Sequence, residues 1–173
     1  MSFIAQVTIS IVIYFIIRFF YQKEKSLYFA GFIAAFSYVL IYLATYEIIS
    51  IMPTIHFMVT GLSLLFIFIA YNEIITLERK VRKVKKGELI NIEPFSVERN
   101  YKIVFKLLGI GLIFLSLALV SGFTLQTIFT ANLLFKAIFT FIAWIIFLIT
   151  FIGVQYANFP IKYATRSLFV SMW

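Results

Sequence analysis

Five continuous apolar runs, each close to bilayer length and separated by charged or polar clusters, constrain this chain more than any other feature. A hydrocarbon core of about 30 Å takes roughly 20 apolar residues in helical form, and runs of that length fall at 3–20, 27–49, 55–76, 103–124 and 135–156. Stretches such as "IVIYFII" and "AWIIFLITFIG" are unbroken, whereas a transmembrane β-strand alternates apolar and polar residues over about ten positions. The expected fold is therefore all-α, an integral membrane bundle of about five helices forming one domain over 1–173. Composition agrees, with 63% hydrophobic and 13% charged residues in 173 and a mean hydropathy of +1.04. The first run has no basic segment before it and no small-residue cleavage site before Arg18, so it reads as a retained span and not as a cleaved signal peptide.

Charge placement orients the bundle. Fifteen basic residues face seven acidic ones, for a net charge of +8. Arg18, Lys23 and Lys25 flank the first connection. Arg79, Lys80, Arg82, Lys83, Lys85, Lys86, Arg99, Lys102 and Lys106 lie in or beside the third, and Lys162 and Arg166 lie in the tail. The second connection, "SIMPT", is uncharged, and "LQTIFTANLL" carries no charge before Lys136. Positively charged loops stay on the cytoplasmic side, which predicts an outside N-terminus, a basic cytoplasmic segment over 77–102 and a cytoplasmic tail over 157–173. The inner segment is expected to prolong the third helix, to stop near Gly87 and to continue irregularly through Pro94. The cluster Arg79, Lys80, Arg82, Lys83, Lys85 and Lys86 reads as a topology signal and a contact for anionic headgroups, not as a nucleic-acid site.

Small residues recur at four-residue spacing as Ala30 with Ala34, Gly31 with Ala35, and Ala118 with Gly122. Such faces let helices approach closely, so the second and fourth spans are expected to pack inside the bundle or against a partner. The 22 Phe and 10 Tyr read as lipid-facing and interfacial packing.

The ionisable residues at membrane depth are Glu47, His56, Glu73 and Lys136. Glu47, Glu73 and Lys136 fall near the ends of their runs, where side chains reach the interface. His56, the one histidine, stands at the outer mouth of the third span. Imidazole can ligate heme iron, or His56 can be an ordinary polar residue of a first helical turn opened by Pro53 and Thr54. No cysteine is present, which excludes thiol chemistry and a thioether link to heme by this chain. No second histidine or His/Glu pair completes a zinc or di-iron centre. Phosphate loops and nucleophile triads are also missing, so catalysis by this chain alone is not expected.

Several segments taken in order carry a resemblance. "IHFMVTGLSLLFIFIA" is followed by "ERK" and a charged inner loop, then "FKLLGIGLIFLSLALVSGF", "KAIFTFIAW" and the tail "GVQYANFPIKYATR". This order resembles the cytochrome c assembly family of heme-handling membrane proteins, and looks closest to its short branch of inner-membrane proteins. The likeness covers most of the chain. It implies a bacterial or organellar inner membrane, heme as the bound group, His56 as an outer axial ligand and Trp144 as part of the cofactor region. The chain departs from the larger members at three places. Their tryptophan-rich outer segment is replaced by "QTIFTANLLFKAIF", leaving only Trp144. Their histidine near the inner end of that helix is replaced by Gly153, Val154, Gln155 and Tyr156. Their second outer ligand follows a further helix, so two-histidine ligation within one copy is not expected here. Two roles follow: heme binding or delivery through His56, or a non-catalytic subunit assembled with other membrane chains. Transport has little support, because matched helices broken by Gly or Pro and a charged midplane site are missing.

Overall fold

A computed structural model describes residues 2–20, 26–45, 51–87, 97–125 and 131–157. Five helices follow in order: α1 (Phe3–Phe20), α2 (Ser26–Thr45), α3 (Ile51–Lys85), α4 (Val97–Leu125) and α5 (Ala131–Ala157). All five are long and apolar enough to cross a membrane. The fold is all-helical, as expected for a setting in which each backbone N–H and C=O must find its partner within its own segment. Glu47, Pro94 and the tail from 158 onward lie outside the described residues.

Local chemistry marks the helix ends. Ser2 caps α1, its Oγ accepting the Ala5 backbone N–H at 3.3 Å. Helix α3 starts at Ile51, four residues before the expected 55. Pro53 sits within its first turn, where a missing N–H costs no intrahelical bond. At its other end α3 closes on Gly87, whose φ of 75° is the left-handed conformation that suits glycine. There the Gly87 N–H donates to the Val84 carbonyl at 3.0 Å. At about 1.5 Å per residue, the 35 residues of α3 span about 52 Å, well beyond a hydrocarbon core. Within the cytoplasmic segment expected over 77–102, α3 continues to Lys85 and closes at Gly87 as expected, and helix resumes at Val97.

Helix α3 is the hub and packs most extensively on α4, while α1 packs chiefly on α2. Close approach is made by small residues. A Cβ on Gly111 would lie 2.9 Å from Ile67 Cγ1 and 3.3 Å from the Ile67 backbone nitrogen, and Ser63 Oγ donates to the Gly111 carbonyl at 3.2 Å. A Cβ on Gly61 would lie 1.9 Å from the Tyr38 hydroxyl, which crosses that glycine to donate to the Phe57 carbonyl at 3.1 Å. Ala30, Ala34 and Ala118 are buried as their spacing predicts; Gly61, Ser63 and Gly111 make the tightest contacts and were not singled out by that spacing.

The aromatic residues divide. Phe29, Phe32 and Phe36 of α2 and Phe135, Phe139 and Phe141 of α5 are exposed on the bundle surface, in keeping with lipid contact. Tyr14, Tyr38 and Tyr42 are buried in the core, which corrects the expectation of interfacial tyrosines. Their rings fill apolar space, and the hydroxyls of Tyr14 and Tyr38 reach partners on α3.

Candidate functional site

Among the polar contacts between the described helices are two that involve histidine or charged side chains, His56 with Ser121 and the Arg18–Glu73–Tyr14 group. At the end where α3 begins, His56 is half-buried between α3 and α4. Its Nδ1 lies 2.9 Å from Ser121 Oγ. The ring edge rests over Gly122, where a Cβ would come within 3.2 Å of His56 Cε1. Glycine at 122 therefore makes the room that the imidazole occupies. A hydroxyl carries one proton, and the Ala118 carbonyl lies 3.1 Å from Ser121 Oγ. With that proton directed at the carbonyl, Ser121 Oγ can accept from a His56 Nδ1–H; with it turned to the ring, Nδ1 accepts instead, so the tautomer decides the direction of this bond.

Trp144 is half-buried on the other side of α4. Its Nε1–H donates to Ser116 Oγ at 2.8 Å, while that hydroxyl donates to the Leu112 carbonyl at 2.9 Å. Phe141 stacks beside the indole with ring centroids 5.8 Å apart. Ser116 and Ser121 are five residues apart, which places them about 140° apart around α4. His56 and Trp144 thus occupy two different interfaces, α3 with α4 and α4 with α5, and are not brought together as one site.

Near the basic end, α1 meets α3 through an ion pair. Arg18 Nε lies 2.9 Å from Glu73 Oε1, and a second guanidinium nitrogen lies 3.2 Å from Oε2. The Tyr14 hydroxyl donates to the same Oε1 at 2.5 Å. Both charged side chains are mostly covered, at 18% and 14% exposure. A two-point Arg–carboxylate contact of this kind fixes orientation as well as charge. Glu73 is consequently an interhelical partner and not simply an interfacial anchor. Its partners precede it by 55 and 59 residues, so no local sequence pattern pairs them.

Arg79, Lys80, Arg82, Lys83, Lys85 and Lys86 are exposed along the last turns of α3 and its closing turn. Arg82 pairs with Glu78 one turn earlier. Lys136 is exposed in α5. Among the described residues, no three His, Cys, Asp or Glu side chains gather where they could hold a metal ion. His56 supplies the one imidazole of the chain, so a group needing two histidine contacts would find one here.

Comparison with protein-family models, curated proteins and solved structures finds no match in any of the three.

Proposed function

We propose that this integral membrane protein binds or delivers heme at its outer face, with His56 Nε2 as one axial contact, in the manner implied by the resemblance to the cytochrome c assembly family. The observation that carries the reading is the 2.9 Å contact between His56 Nδ1 and Ser121 Oγ, which engages one ring nitrogen and leaves Nε2 outside that bond. Metal-ligating histidines characteristically use their other ring N–H in such a bond, which fixes both tautomer and ring orientation. In this reading the basic end of α3 is cytoplasmic by the charge rule, and the His56 end faces outward in a bacterial or organellar inner membrane. Heme would contribute its iron as the centre to be ligated, and this chain contributes one imidazole and apolar packing. The second axial position falls to water or to another subunit. The role is one of binding, without catalysis by this chain.

The test is the absorption spectrum of the gently purified protein, with and without added heme. We expect a Soret band that is lost or shifted in His56→Ala. An unchanged spectrum in that variant removes His56 from the site, and failure to bind heme at all ends the proposal.

A second reading, a structural subunit of a larger membrane complex, draws on α5. Only 11% of its spanning stretch is buried, against 50% for α3 and for α4, and among the described helices it packs on α4 alone. Copurification with other membrane chains at fixed stoichiometry, unchanged in His56→Ala, is the result this reading requires.

A further inference from the structure

Beside the Arg18–Glu73 pair, residues of α1 and α3 line an open depression of about 640 Å³. This volume lies within the range of about 300–1,000 Å³ typical of small-molecule sites. Among the described residues its walls come from α1 and α3. Phe15 and Phe19 supply an apolar wall, and Arg18, Glu73, Thr76 and Lys80 supply polar groups. Among the described lining residues the cations are Arg18 and Lys80 and the carboxylate is Glu73, which Arg18 engages. On α3, Glu73, Thr76, Lys80 and Lys83 follow at intervals of three and four residues and share one helix face. That face runs from the apolar span directly into the basic turns.

We propose that this depression is a binding site for one anionic glycerophospholipid. Its phosphate would lie toward Lys80 and the basic turns, and an acyl chain would run along Phe15 and Phe19. Three features favour this occupant. The site lies where an apolar span passes into a basic surface segment, the level at which anionic headgroups meet cationic side chains. The groove combines a cationic end with an aromatic wall, matching the two halves of a phospholipid. As an open depression it gives access without any movement of the core. The proposal is independent of heme binding.

Native mass spectrometry of the detergent-solubilised full chain, given equal amounts of phosphatidylglycerol and phosphatidylcholine, tests it. The expected result is one retained phosphatidylglycerol in preference to phosphatidylcholine. Lys80→Gln should reduce that preference about fivefold, the effect of one cation at a membrane surface, and Lys80→Arg should restore it. Thr76→Trp, which fills the groove without altering charge, should abolish single-lipid retention. Lys86→Gln, which removes the same charge outside the depression, should leave retention within about twofold. Equal retention of the two lipids overturns the site. So does a Thr76→Trp variant that keeps its phosphatidylglycerol, or an equal loss in Lys80→Gln and Lys86→Gln, which indicates diffuse attraction by the basic cluster. Retention of a protein chain over this face with no lipid bound also overturns it.

Discussion

The two ends of this bundle handle polarity in different ways. At the basic end, Arg18, Glu73 and Tyr14 engage one another across α1 and α3, and the carboxylate is met from two residues of the same helix. At the other end, His56 meets Ser121 through one ring nitrogen, and Ser121 reaches the Ala118 carbonyl one turn earlier in its own helix. A closed charge cluster holds helices in register. A contact that engages one ring nitrogen leaves the other outside it, which is the part that the proposed heme site uses. Removing a partner from the first should therefore be felt as stability, and from the second as binding.

The largest expected effect is at the charge cluster. Glu73→Ala leaves a largely covered guanidinium without its carboxylate, and breaking a buried pair from one side costs about 3 kcal/mol or more. Unfolding in mixed micelles should show this loss, and the Arg18→Ala, Glu73→Ala double variant should recover part of it. A double variant as unstable as the sum of the single ones would show that the pair does not act as a unit.

A smaller effect, on binding, is expected from Ser121→Ala. Loss of the hydrogen bond orienting a ligating histidine typically lowers metal affinity by about tenfold or more, with little change in stability. Because the chain has one histidine, ¹⁵N-histidine labelling reads its tautomer without overlap. Wild-type protein should show protonated Nδ1 and basic Nε2, and Ser121→Ala should lose that bias. A wild-type spectrum with the proton on Nε2 would invert the assignment, whatever the outcome of heme binding.

Gly122→Val sharpens the same distinction by sterics. Even a Cβ at 122 comes within 3.2 Å of the imidazole, and valine must push the ring from α4. A weakened or shifted Soret band is expected, with the α1–α3 ion pair undisturbed. The smallest effect belongs to Trp144→Phe, which removes one hydrogen bond to Ser116 and should cost about 1 kcal/mol. Heme binding should be unchanged, since Trp144 lies at the α4–α5 interface. A heme-specific defect in that variant would reunite the two residues that α4 separates.

The helices were the most legible part of the chain. Apolar length alone marks five spans, because a bilayer rewards continuous runs of about 20 residues whatever their neighbours. Gly87 was legible as the end of α3, since a glycine after a basic helical turn supplies the left-handed residue that closes a helix. Helix contacts were legible only in part. The alanine spacing in α2 marks a packed face, yet lipid is as apolar as a helix interior, so apolar character does not say which side meets lipid and which meets protein. For this reason the three core tyrosines were indistinguishable from interfacial ones, and Gly61 and Gly111 were not marked as closest contacts.

His56 was visible as a candidate because of its residue type and its position at the mouth of a span, and Trp144 because of the family resemblance. The contact with Ser121, the seat over Gly122 and the separation of His56 from Trp144 depend on how α4 is rotated between α3 and α5. The Arg18–Glu73 pair depends likewise on which helix lies beside which. The sequence by itself determined the number of apolar spans and the residue types available for chemistry, because each follows from local composition along the chain. Tertiary structure alone decided which of those residues meet, because side chains 55 or 65 residues apart are joined by helix packing and not by any spacing within one helix.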